Sequence, residues 1–260
     1  MSFTDEEHRC GQNFLRTLGI PQGAEFICFS ARDNTYLDMT QTHKSRDELS
    51  YHDYRDCDIN AYLPAAEQLA AQGIWALRMG AAVKQPISSV NPHVIDYASK
   101  FRTDFADAYL MAHCKFFIGC TAGNFLLSSA FRVPCALANM TPLGHVARSA
   151  RDLFIPKTYR SAKKSRPLRF RDVIALGADL WLSAKQFELA EIEVIENSSE
   201  DILELAMEMD ARLKGTWQTQ FEDDELQARF RSLFPVGHQN TGYPSRVGAD
   251  FLRKHAHLLD

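Results

Sequence analysis

No run of about eighteen apolar residues occurs in the chain, so the sequence predicts no membrane-spanning helix. The nearest stretch, Phe116 to Phe131, is broken by Thr121, Asn124, Ser128 and Ser129. Met1 to Cys10 is polar and acidic, with neither a basic start nor an apolar stretch, and so does not read as a secretory leader. Six cysteines are present but none forms a CxxC pair, which leaves the common zinc spacings unfilled. Cys28, Cys120 and Cys135 sit in apolar runs and read as reduced, buried small hydrophobes, as in a reducing cytoplasm. Positive charge is not in excess either: 29 Lys and Arg face 33 Asp and Glu, a net charge of -4. The whole molecule therefore has no electrostatic bias toward nucleic acid. No repeat of solenoid period is visible.

What is there is an ordinary globular balance, 45% hydrophobic and 24% charged over 260 residues. With no clean linker, the whole of 1–260 reads as one domain with helical ends. Strand-like and helix-like segments alternate. A polar helix is expected over Thr4 to Leu18, then a buried strand over Glu25 to Ala31. A polar loop, Thr40 to Ser50, leads to a helix from Asp58 to Gln72 with Pro64 in its first turns and Gly73 as its stop. Further strands are expected at Ile74 to Gly80, Val94 to Tyr97, Lys115 to Cys120 and Val133 to Ala138. Helices at Asp104 to His113 and Phe125 to Phe131 fall between them. This order predicts right-handed crossovers and a Rossmann-like, mostly parallel α/β sheet with helices on both faces. Beyond it come a possible strand at Glu191 to Glu196 and helices at Glu200 to Leu213, Phe221 to Phe234 and Ser245 to Leu259.

Ligands of open parallel sheets bind outside the carboxyl ends of the strands. Three predicted strand ends carry unusual residues. The turn Thr121-Ala122-Gly123-Asn124 lets a ligand approach the backbone closely and opens a helix, which suits a phosphate. It matches neither the P-loop nor the GxGxxG fingerprint, and a tight turn made for packing alone explains it equally well. Arg32 and Arg78 each follow apolar strand residues, where an unpaired charge is costly. Either could clamp a diphosphate or pair with an acid such as Asp33, Asp53 or Asp58. His52 and Asp53, in a titratable cluster before a helix, are the candidate general bases. Lys157 opens a run to Arg171 with seven basic residues and no acid. Lys157 is a further phosphate candidate; an anionic lipid surface or a solvated loop are the other readings of the run.

Three segments together resemble a family of bacterial glycosyltransferases associated with surface-polysaccharide synthesis. They are FICFSARDNTYL, YHDYRDCDINAYLPAAEQLAAQGIWALRMG and YASKFRTDFADAYLMAHCKFFIGCTAGNFLLSSAFRVPCALAN, with weaker matches in DLFIPK, ENSSEDI and GADFLRKH. The resemblance implies one half of a GT-B architecture, the nucleotide-sugar-binding half. In it GCTAGNF would be the donor diphosphate turn, similar to that of heptosyltransferases. Arg32 in SARD is similar to the phosphate-binding arginine of fucosyltransferase-like enzymes, and Arg78 in LRMG would be a second. Such enzymes usually need no bound metal and no further cofactor; the nucleotide sugar is the substrate. The implied acceptor is a glycan or a lipid-linked glycan, and the implied place is the cytoplasm, at or near the inner membrane face. Longer members carry a further N-terminal region. The resemblance therefore also allows a donor-binding module that needs a partner chain, or a homodimer, for its acceptor half, with weak transfer by this chain alone. A sugar-nucleotide epimerase-like enzyme on the same fold is a third expectation.

Overall fold

The computed structural model describes residues 2–260. These residues form ten strands: β1 (Phe26–Phe29), β2 (Trp75–Arg78), β3 (Val94–Ile95), β4 (Phe117–Gly119), β5 (Cys135–Met140), β6 (Leu153–Pro156), β7 (Thr158–Ser161), β8 (Arg166–Pro167), β9 (Ile192–Ile195) and β10 (Arg246–Val247). Seven of them form one sheet in the order β10-β6-β5-β4-β1-β2-β3, and every pairing in it is parallel. The strands run as unbroken apolar stretches because helices cover both faces. All four residues of β1 and all six of β5 are buried. The fold is thus an α/β, Rossmann-like parallel sheet.

The chain builds out from the centre in two directions. From β1 it moves through β2 to β3 at one edge; it then crosses back to β4 on the other side of β1 and continues to β5 and β6. This reversal between β1 and β4 is the topological switch point, and it fixes where a crevice opens at the strand ends. The crossover helices follow from local signals. Thr103 caps the helix Asp104–His113 by accepting from the Ala106 N–H at 3.1 Å. Thr4 and Glu7 form a reciprocal box at the start of Asp5–Thr17. Gly73, at φ +87°, follows the helix Leu63–Ala71, whose first turn holds Pro64. The predicted Asp58 to Gln72 helix is divided: Asp58 caps a short 3₁₀ turn, Ile59–Tyr62, before the α-helix begins.

Other segments differ from expectation: the expected loop Thr40 to Ser50 holds the short helix Arg46–Leu49, the strand expected over Val94 to Tyr97 ends at Ile95 before the helix Tyr97–Lys100, and two more differ in kind. The basic run after Lys157 is not a loop: β7 and β8 pair antiparallel within it, and β9 joins β7 on its other side. Cross-strand pairing brings the charges to opposite partners, as Arg160 and Glu193 do across β7 and β9. The second is Ser245 to Leu259, which begins as β10 on the edge of the main sheet. Only then does it turn into the helix Ala249–Lys254. Among the described residues no helix is long and apolar enough to cross a membrane. Cys28, Cys57, Cys114, Cys120 and Cys135 are buried free thiols, and Cys10 is exposed.

A reciprocal amide clamp ties the main sheet to the segment after β9. Asn197 Oδ1 accepts from the Asn139 N–H at 2.6 Å, and Asn139 Oδ1 accepts from the Asn197 N–H at 2.7 Å. Asn139 also donates to the Tyr62 hydroxyl at 3.1 Å and sits at φ +54°, a conformation asparagine tolerates better than most residues. Asn139→Ala leaves the buried Asn197 N–H without its acceptor, takes from the Tyr62 hydroxyl its amide donor and adds left-handed strain. It should cost about 2–4 kcal/mol, read from the midpoint of urea unfolding. A loss under about 1 kcal/mol would show that the clamp is not a stability determinant.

Candidate functional site

The carboxyl ends of β1, β2 and β4 open onto two adjoining cavities. One, of about 380 Å³, is lined by Arg32, Asp33, Asp56, Asp58, Arg78, Lys84 and Glu196, among others. The other, of about 460 Å³, is lined by Tyr36, His52, Arg55, Gly80, Ala122, Gly123 and Asn124, among others. Ala31, Arg32 and Asp33 border both, so β1 ends on the wall between them.

The turn after β4 forms one wall of the second cavity. Its only internal backbone bond at the start is from the Ala122 N–H to the Cys120 carbonyl, at 2.7 Å. The N–H groups of Gly123, Asn124 and Phe125 make no hydrogen bond with another described residue. Gly123 is exposed, its φ is not left-handed, and a carbon added in place of its hydrogen has no protein atom within 4 Å. The Asn124 side chain is turned back to Ser30 at the end of β1, donating at 2.5 Å across the switch point. Thr121 contributes its backbone and not its hydroxyl: Oγ1 is buried, accepts from the Thr141 N–H at 3.0 Å and touches Met140 Sδ. The hydroxyl is spent on a backbone donor just beyond β5.

Arg55 holds this turn. Its Nε and Nη2 both donate to the Thr121 carbonyl, at 3.1 and 2.8 Å, while its Nη1 bonds to no described residue. No carboxylate lies within ion-pair distance of it among the described residues. Lys84, on the first cavity, also makes no side-chain bond with a described residue, whereas the three cations that the sequence singles out are engaged. Arg32 pairs with Asp56, and its Nη1 also donates to the His52 carbonyl at 3.3 Å. Arg78 is almost wholly buried; its Nη1 pairs with Asp96 at 3.2 Å and donates to Ser99 at 3.4 Å, while its Nε and Nη2 bond to no described residue. Neither acid is one of the three that the sequence suggests as partners. Lys157 donates to the carbonyls of Tyr54 and Asp56, at 3.2 and 2.6 Å, and so anchors the segment that carries Arg55. Burial pulls down the pKa of both Arg32 and Lys157, but each still has acceptors for its protons.

Of the two candidate bases, only His52 borders a cavity. Asp53 is tied to Arg46 at 2.7 Å. His52 stacks on Tyr51 with ring centroids 3.7 Å apart, and its Nδ1 is buried without a partner. Burial, then the charges of Arg55 and Arg32, push its pKa down to about 4. The imidazole is therefore neutral at pH 7. Because the folded pKa lies below the ordinary 6.5, the unfolded chain takes up this proton first as pH falls. Stability from His52 is fully present above 6.5 and is lost toward 4. The ring's NMR titration should have a midpoint near 4 in the free protein and a higher one when an anion neutralises Arg55 and Arg32. A midpoint near 6.5 in the free protein would show that the ring is solvated. No group of three or more His, Cys, Asp or Glu side chains among the described residues is placed to hold a metal ion.

No family model matches the chain. No curated protein matches it either. Among solved structures it is similar to the crystal structure of the glycosyl transferase family 9 from Veillonella parvula DSM 2008, with a TM-score of 0.43 and 10% sequence identity. The match covers 80% of this chain and 53% of that one, so the chain spans about half the length of that structure.

Proposed function

We propose that the cavity at the β1–β4 switch point binds the diphosphate of a nucleotide sugar, and that the protein is a glycosyltransferase or its donor-binding half. The observation that carries this reading is the pairing of Arg55, a cation without a carboxylate partner, with three unbonded backbone N–H groups at Gly123 to Phe125. A diphosphate supplies the acceptors that these donors lack. The resemblance of the segments around Arg32, Arg78 and Thr121 to surface-polysaccharide glycosyltransferases supports the sugar-nucleotide assignment. In transfer, the same donors would stabilise the departing nucleoside diphosphate as negative charge collects on it. His52 would take the acceptor's hydroxyl proton. With a pKa near 4 it is a poor base in the free protein, and the bound diphosphate would improve it by offsetting Arg55 and Arg32.

Calorimetric titration with UDP, GDP, ADP and CMP tests the reading. At least one should bind and raise the melting temperature with ligand concentration. Failure of all four, and of their sugar conjugates, would overturn it. Turnover separates the two forms of the proposal: hydrolysis or transfer of a bound donor by the purified chain identifies an enzyme, and binding without turnover identifies a module.

A further inference from the structure

Two thiols meet beneath Arg32. The Cys57 N–H donates to the Arg32 carbonyl at 3.0 Å, and the Arg32 N–H points to Cys120 Sγ at 3.3 Å. Cys57 comes from the segment after Arg55, and Cys120 immediately precedes the Thr121 turn. The two cysteines thus bracket one residue, bonded to the N–H and the carbonyl of the same Arg32, and Cys57 Sγ is 3.6 Å from the Tyr62 hydroxyl. Their access differs. Cys57 borders the 380 Å³ cavity, whereas Cys120 is sealed beneath it.

We infer that Cys57 and Cys120 are a peroxide-oxidation site, in which Cys57 is the attacked thiol and Cys120 the resolving one. Their chemistry is already divided in this sense. Cys57 borders the cavity through which peroxide would arrive and has the Tyr62 hydroxyl beside its sulfur, which with the charge of Lys157 favours its thiolate, while Cys120 is wholly buried behind it. The Cys57 thiolate attacks one oxygen of hydrogen peroxide; the O–O bond breaks, a sulfenic acid forms, and the released hydroxide is protonated to water. Cys120 then gives up its proton and attacks the sulfenic sulfur. The S–O bond breaks, hydroxide leaves as a second water, and the disulfide forms. Two thiols lose two electrons and one peroxide gains two.

The new bond would draw the sulfurs to about 2.05 Å. That movement pulls the start of the phosphate turn toward the segment holding Arg55 and removes the acceptor from the Arg32 N–H. Oxidation should therefore lower nucleotide affinity at least tenfold, a consequence that rests on the nucleotide reading; bond formation does not.

A Cys10→Ser chain, which removes the exposed thiol, is treated with hydrogen peroxide and analysed by intact mass and peptide mapping. The expected result is a loss of about 2 Da, a peptide linking Cys57 to Cys120, and full reversal by dithiothreitol. Cys57→Ser should abolish the loss, and Cys120→Ala should convert it to a gain of oxygen at Cys57. Cys28 and Cys114, both buried and lining neither cavity, are the internal control. No mass loss, a link between Cys28 and Cys114, or over-oxidation of Cys57 in the unmodified pair would each overturn the proposal. These results stand whether or not any nucleotide binds.

Discussion

Gly123→Val is expected to weaken nucleoside diphosphate binding about 100-fold or more while leaving the melting temperature close to that of the unsubstituted protein. Stability should survive because the position is exposed, its φ is not left-handed, and no protein atom lies within 4 Å of where the new Cβ stands. The usual penalty for replacing a turn glycine is therefore absent, and valine reduces the freedom of the unfolded chain besides. Binding should not survive, because the branched side chain fills the space in front of the Gly123 and Asn124 N–H groups. Two charge-assisted hydrogen bonds of about 1.5–3 kcal/mol each are then lost, which sets the size of the effect. Calorimetry on both proteins with the tightest-binding nucleotide measures it. Equal affinity in a folded variant would remove this turn from the site. A variant that unfolds would instead show that Gly123 is a packing residue.

Arg55→Met is the complementary test of the same surface, and it shows how far the site could be read from the sequence. The turn itself was legible, since small residues after a buried strand point to close backbone approach whatever the partner strands are. Arg55 was not. It lies in a cluster of titratable residues before a helix, and its contact with the Thr121 carbonyl spans 66 positions of sequence. The same reason hides Asp96 and Asp56 as the partners of Arg78 and Arg32: an ion pair between strand ends depends on which strands are neighbours, and parallel pairing is non-local. Helix limits fared better because their causes are local, as at Thr103 and Gly73. β6 and β10 gave no periodic signal, being four residues ending in proline and two residues respectively. The hairpin within the basic run was obscured by its composition, whose charges are spaced by cross-strand neighbours that lie outside it, such as Glu193.

Arg78 carries the second large expectation, and here the burial sets both sign and size. Arg78 and Asp96 are each about 3% exposed at the side chain, 3.2 Å apart. Asp96 has a second duty: its Oδ2 accepts from the Ile87 N–H at 3.1 Å, which pins the loop between β2 and β3. Arg78→Met removes the cation and strands a buried carboxylate, which should cost about 3–5 kcal/mol in urea unfolding. Adding Asp96→Asn should restore a large part of that loss. The amide removes the unpaired charge and keeps an oxygen for the Ile87 N–H, so the double variant should be more stable than Arg78→Met alone. A phosphate role for Arg78 predicts a different pattern, in which the double variant folds but loses nucleotide affinity as severely as Gly123→Val. If the role of Arg78 is its ion pair with Asp96 through Nη1, nucleotide affinity of the double variant should instead stay within roughly threefold of the unsubstituted protein, under ~1 kcal/mol. Strict additivity of the two substitutions in stability would show that the pair is not energetically coupled, and the buried ion pair would have no share in holding β2 against β3.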